Sequence, residues 1–217
     1  MAECFSFSYT VLARLGLETV LASYDVKSEE SFVLHYVEPR SLELPDTYPR
    51  NQLNDLDALD LVSRFVSSIP EHSALLPYGD IVLAGGKINL IYPFLKLGSV
   101  RDYMQKFKLP FLNEIELKAA TFAIVDALLT LHLEGFVHGQ VEPSTVMFTN
   151  EKKFEGFTVA LRKLYKCQRL NGVKAPLPAH SVISMPLAHK LYLSPEILSG
   201  KRLSPSSDIW SLGITLY

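Results

Sequence analysis

Cysteine is nearly absent: 217 residues contain two, Cys4 and Cys167, too far apart for a metal-binding or redox Cys-x-x-Cys spacing. No Asn-x-Ser/Thr acceptor occurs either, so neither a disulfide framework nor glycosylation argues for secretion. The expected compartment is the cytoplasm, with the nucleus also open. Basic excess is missing as well. With 21 Lys and Arg against 23 Asp and Glu, the formal charge is -2, and the chain lacks the positive field that nucleic acid binding needs. No apolar run reaches the roughly 18 residues of a membrane span, and the start MAECFSFSYTV carries no basic region ahead of a hydrophobic one. What is abundant is apolar residues, 48% of the chain, enough to bury a sizeable core.

Between Ser8 and Glu38 the apolar residues come in short bursts, YTVLARL, TVLASY and SFVLHYV, separated by Gly16 and a polar stretch. That pattern predicts a small antiparallel meander. Beyond Pro45 and Pro49, Leu53, Leu56, Leu59, Val62, Phe65, Val66 and Ile69 recur at helical spacing until Pro70. IVLA and INLIYPF, joined around Gly85-Gly86, read as a hairpin. From Gly98 the character turns helical. SVRDYMQKF predicts a short helix, and Asn113 with Glu116 opens a long one that Gly135 ends, with Ala119, Phe122, Ala123, Asp126, Leu129 and Leu133 on its repeating face. The expected fold is α+β with two lobes, an antiparallel β lobe over about 8–95 and a helical lobe over about 98–217, forming one domain across residues 1–217.

Three segments resemble the protein-kinase family. LTLHLEGFVHGQVEPSTVMF (130–148) is similar to the catalytic loop, with His138 at the position of the His in H-R-D. YLSPEILSGKRLSPSSDIWSLGITLY (192–217) is similar to the end of the activation segment, with Ser194-Pro195-Glu196 in place of A-P-E. LLPYGDIVLAGGKINLIYPFLKLGSVRDYM (75–104) is similar to the strands leading to the hinge between lobes. The resemblance implies a two-lobed kinase fold that is truncated within its helical lobe.

The same positions lack the chemistry of phosphoryl transfer, which needs a loop Asp, Lys and Asn, the D-F-G Asp on magnesium, a strand Lys and a glycine loop. Gln140 stands at the base position, and a neutral amide takes no proton near pH 7. Glu142 replaces the loop Lys and Thr145 the Asn. Gly156-Phe157-Thr158 is the best match to D-F-G, and no aspartate at all occurs between Asp126 and Asp208. His35 takes the place of the strand Lys, and only Gly16 remains of the glycine loop. The residues read as degenerate positions rather than as a catalytic set, and no metal ligand set is expected. His138 is expected as a buried structural histidine, Asp208 as a carboxylate accepting backbone N–H bonds near a helix start, and Glu142 and Glu155 as solvated surface.

Within the family the chain resembles the Ste-twenty-related adaptor group (STRAD), through HGQVEPSTVMF, KCQRLNGV and YLSPEIL. The resemblance implies a catalytically inactive adaptor that activates a client protein kinase, alongside a helical-repeat scaffold protein. Two alternatives stay open: an enzyme of altered mechanism built on His138, Glu142 and Glu155, and a non-functional truncated product. No cofactor is required. ATP binding is expected to be weak or absent in a vestigial pocket near Val20, His35, Pro93 and Phe94, because no cation is evident for the phosphates. Order in the activation segment is expected from the apolar packing of Val182, Ile183, Met185, Leu187 and Leu191.

Overall fold

A computed structural model describes residues 10–14, 19–23, 31–37, 54–84, 87–110, 112–149, 158–170 and 185–217. The chain divides into two units, one of residues 1–68 and 77–94 and one of residues 69–76 and 95–217. The short stretch Ile69–Leu76 therefore folds with the helical unit, although it precedes two strands of the β unit and falls inside the range expected for that lobe.

The first unit is a five-stranded antiparallel sheet in the order β1-β2-β3-β5-β4, formed by Thr10–Arg14, Thr19–Ser23, Ser31–Val37, Asp80–Ala84 (β4) and Lys87–Pro93 (β5). Central position explains the composition of β5, whose residues Ile88 to Tyr92 are all buried. Phe32, Leu34 and Ile91 cluster on it with Val82 against them. Ala84 pairs with Lys87, so the expected hairpin forms, while the turn residues Gly85 and Gly86 lie outside the described residues. The helix α1 (Asp55–Ser67) is capped by Asn54, whose side chain accepts from Asp57 N–H at 2.9 Å. It buries Ala58 and Val62 against β4 and β5, whereas Leu56, expected on the apolar face, is 56% exposed.

The second unit is built around α3 (Glu114–Leu133), opened by a reciprocal capping box between Asn113 and Glu116. Ahead of it, α2 (Val100–Phe107) starts at Ser99 with a second capping box to Asp102. After it come β6 (Phe136–Val137), β7 (Val146–Phe148), β8 (Val159–Leu161), a 3₁₀ turn over Leu164–Lys166, β9 (Gln168–Arg169), and the helices α4 (Leu187–Lys190), α5 (Pro195–Leu198) and α6 (Pro205–Leu216). Helix α3 buries Ala120, Ile124, Ala127, Leu128 and Leu131, and packs on β8, β6 and α6. That is the opposite stripe from the expected one, for Phe122 is 83% and Leu133 77% exposed. The helix is apolar nearly all round, so helical periodicity alone could not select the buried face. Ala74 and Leu76 bond to both backbone groups of Leu161, which fastens the stretch 69–76 to β8.

Candidate functional site

The segment His138–Thr145 links β6 to β7, and its backbone is held by Asp208 from the first turn of α6. One carboxylate oxygen accepts from His138 N–H at 2.8 Å and from His132 Nε2 at 3.0 Å, the other from Gly139 N–H at 2.7 Å. Asp208 is fully buried, so these bonds replace the water that its charge would otherwise require. The expected acceptor role of Asp208 thus holds for the loop's N–H groups, as well as for a histidine of α3. His138 is 1% exposed. Gln140 N–H donates to its Nδ1 at 3.2 Å, leaving Nε2 to donate to the Arg162 carbonyl at 2.9 Å. Burial holds the imidazole below its ordinary pKa, against the opposing pull of Asp208. A neutral, doubly bonded ring is a structural histidine, as expected.

The rest of the loop is equally committed. Thr145, fully buried, donates through Oγ1 toward the carbonyls of Gln140 and Glu142 and accepts from Glu142 N–H at 3.1 Å. Its hydroxyl closes the loop and is not free for a ligand. Glu142 departs from its expectation as solvated surface: it is 2% exposed. Ser144 Oγ donates to one of its oxygens, and His189 Nδ1 on α4 lies 2.6 Å from the other. A buried carboxylate demands such partners, and here they come from its own loop and from α4. Gln140 keeps a buried Oε1 with no partner among the described residues. Gly139 has φ of +74°, and a Cβ there would lie 2.7 Å from Leu203 Cδ1, so any larger residue at this place, arginine included, is strained.

The hairpin register decides what stands beside this loop. Val146 pairs with Leu161, Met147 with Ala160 and Phe148 with Val159. Thr158 therefore lies at the far end of the hairpin, bonded to Thr149, while Gly156 and Phe157 lie outside the described residues. The residues beside the loop are instead those that follow β8. Arg162 N–H donates to the Thr145 carbonyl at 2.9 Å, and Lys163 comes next with φ of +66°. The match of 156–158 to D-F-G is thus corrected to the stretch from Lys163 onward, where a cation occupies the place in which a metal would need a carboxylate. Burial pushes the Lys163 ammonium down to about 8, with the charge of Arg162 acting in the same direction and Glu142 opposing.

These residues do not fit a magnesium ion. Lys163 repels it, Gln140 and Thr145 are neutral, and Glu142 has both oxygens engaged. No cluster of three or more His, Cys, Asp or Glu with metal-binding spacing exists among the described residues. Arg162 and Lys163 lie six and seven residues beyond Gly156, where the sequence offers its match to D-F-G, and neither resembles that motif. The apolar triplet Val159-Ala160-Leu161 followed at once by Arg-Lys was the available signal.

In the β unit His35 is buried, opposite Thr19 on β2 and Leu90 on β5, with its ring edge-on to Tyr92 at 6.4 Å. Val20 pairs with Leu34 in the same sheet, and Pro93 and the 37%-exposed Phe94 end β5. Ser194 caps α5 and is 1% exposed, which closes it to modification in this state. Val182 and Ile183 lie outside the described residues. Met185 packs against Val137, Leu193, Ile197 and Leu203, but Leu187 and Leu191 are 75% and 66% exposed, so they do not supply the apolar order expected of them.

An antiparallel sheet preceding a helical unit, with a β6–β7 loop whose N–H groups are anchored by the helix-start Asp208, defines a protein-kinase-like fold. The protein kinase domain profile matches residues 63–217, and the chain belongs to that family. It is 27% identical over 154 residues to the STE20-related kinase adapter protein alpha of Mus musculus, a match covering 69% of this chain and 34% of that protein. The Bos taurus counterpart is 28% identical, over 69% of this chain and 40% of the relative. Serine/threonine-protein kinase PAK 4 of Homo sapiens is 24% identical, over 66% and 22%. The chain spans well under half the length of these relatives.

Proposed function

We propose that this chain is a pseudokinase that acts as an adaptor or allosteric activator of a client protein kinase and transfers no phosphate itself. The observation that carries the reading is Lys163, a cation following β8 beside the loop, where phosphoryl transfer in this fold requires a metal-binding carboxylate. Around it the loop is emptied of acid, base and metal chemistry, yet its architecture is kept through Asp208, Thr145 and the Glu142–His189 pair. A maintained scaffold without a reaction centre suits a protein whose work is contact. Similarity to kinase adapter proteins favours the same reading. A helical-repeat scaffold as a further partner, and the cytoplasm or nucleus as the compartment, belong to the same proposal. The rival reading, an enzyme that uses Glu142 in an altered mechanism, is disfavoured because both of its oxygens are spent on Ser144 and His189.

Affinity purification of the full-length protein tests the proposal. Recovery of a protein kinase whose activity rises on adding the purified chain is expected. Failure to recover any kinase, or radiolabel transfer from Mg-ATP that disappears in Glu142→Ala, would sink it.

A further inference from the structure

We propose that the solvent-facing stripe of α3 pairs with the same stripe on a second copy of this chain, antiparallel, about a two-fold axis at Phe122. The inference goes beyond the adaptor reading and does not rest on it. While α3 buries Ala120, Ile124, Ala127, Leu128 and Leu131 within its own unit, Ile115, Phe122, Val125, Leu129 and Leu133 stand exposed on its other side. At about 100° of turn per residue these five fall within roughly 80° of one another, in a row about 27 Å long. Steps of three and four residues connect them by way of Lys118, the repeat by which one helix seats against another. Single exposed apolar side chains are ordinary on a protein surface, but a contiguous row of this kind marks a contact face.

The order of residues along the stripe identifies what covers it. A two-fold axis through Phe122 exchanges positions equally spaced before and after that residue. Seven residues to either side stand Ile115 and Leu129, both apolar, and four residues to either side stand Lys118 and Asp126, of opposite charge. Two antiparallel copies therefore set Phe122 on Phe122, Ile115 beside Leu129 twice and Lys118 beside Asp126 twice. Small Ala119 and larger Val125, three residues to either side and both exposed, also face each other. A parallel pairing would instead place Lys118 on Lys118 and Asp126 on Asp126, and like charges would oppose it. Both charged groups are accessible to a partner. Lys118 donates to Glu114 at 2.6 Å in a fully solvated pair one turn apart, which is worth little and yields its ammonium readily. Asp126 is also exposed and engages His72 Nε2 at 3.0 Å through one oxygen, which leaves the other for an incoming ammonium.

Sedimentation velocity of the full-length protein from about 1 to 100 μM, a range that captures weak and moderate self-association, tests the pairing. A reversible monomer–dimer equilibrium is expected. Phe122→Glu should weaken it on the order of a hundredfold, and Lys118→Glu about tenfold because the altered pair occurs twice. Adding Asp126→Lys to Lys118→Glu should restore the dimer. Within one copy the two residues lie eight positions apart, about 12 Å along the helix, so the rescue has to come from across the interface. Circular dichroism checks that each variant folds, and Leu129→Glu takes the place of Phe122→Glu should that variant fail. A monomer at every concentration, a dimer unchanged in the folded Phe122→Glu or Leu129→Glu variant, or no rescue by Asp126→Lys would overturn the proposal. So would a monomer whose Phe122 is required for binding a different protein, since the stripe would then belong to that partner.

Discussion

Replacing Lys163 by methionine should make this protein more stable at neutral pH, contrary to the usual effect of removing a partly buried side chain. Folding lowers the ammonium from 10.5 to about 8, with burial as the main cause and its cationic neighbours adding to it. At 1.36 kcal/mol per pKa unit, that shift corresponds to a strain on the order of 3 kcal/mol when the group is charged. The sign follows from proton counting. Between about pH 8 and 10.5 the unfolded chain holds a proton that the folded chain has released, so this group makes stability rise with pH across that window. Below pH 8 both states are protonated and the full strain is present. Methionine keeps the length of the stem without the charge, and at pH 7 Lys163→Met should gain about 1–3 kcal/mol after allowance for relaxation around the ammonium. The advantage should fade to near zero by about pH 10.5. Burial raises the pKa of Cys167 and Tyr103, so both erode stability at alkaline pH, but they do so in the two proteins alike and cancel in the difference. Urea denaturation followed by Trp210 fluorescence at several pH values, in phosphate-free buffer, reads that difference. A variant less stable at pH 7, or a difference that does not change with pH, would show that the ammonium has an anionic partner in the folded protein and that the electrostatic argument is wrong.

Asp208→Ala removes the acceptor of two loop N–H groups and of His132, and should cost about 3–5 kcal/mol in chemical denaturation, close to the whole stability of a marginal domain. Gly139→Ala should cost about 1–2 kcal/mol from its left-handed backbone alone, and Gly139→Arg more because of Leu203, with neither gaining phosphotransfer in a radiolabel assay. Burial lowers the pKa of His138, so the unfolded chain takes up a proton first as pH falls below about 6.5; thermal melts should show stability falling there, and less steeply in His138→Asn. Glu142→Gln weakens the tie to His189 and should speed proteolytic cleavage near Lys190 without altering the far-ultraviolet spectrum.

Helices and strands with local signals were legible in the sequence. The capping box at Asn113 needs only a polar side chain and its partner three residues on, and it forms. The β4–β5 hairpin and the class of fold were readable for the same reason, since alternation and turn residues act over a few positions. The loop residues His138, Gln140, Glu142 and Thr145 could also be named, because their spacing lies within one short segment. Faces and partners were not. An all-round apolar α3 left the choice between Phe122 and Ile124 to the elements that pack on it. Glu142 looked like surface until α4, some 47 residues on, placed His189 against it.

By itself the sequence determined the capped helix α3, the β4–β5 hairpin and the residue types of the β6–β7 loop, because each depends on residue type and short-range spacing. Only the tertiary structure decided which residues stand beside that loop. The β7–β8 register places Thr158 at the far end of the hairpin and returns Arg162 and Lys163 to the loop, since strand pairing aligns residues by hydrogen bonding across a turn whose length no local pattern announces.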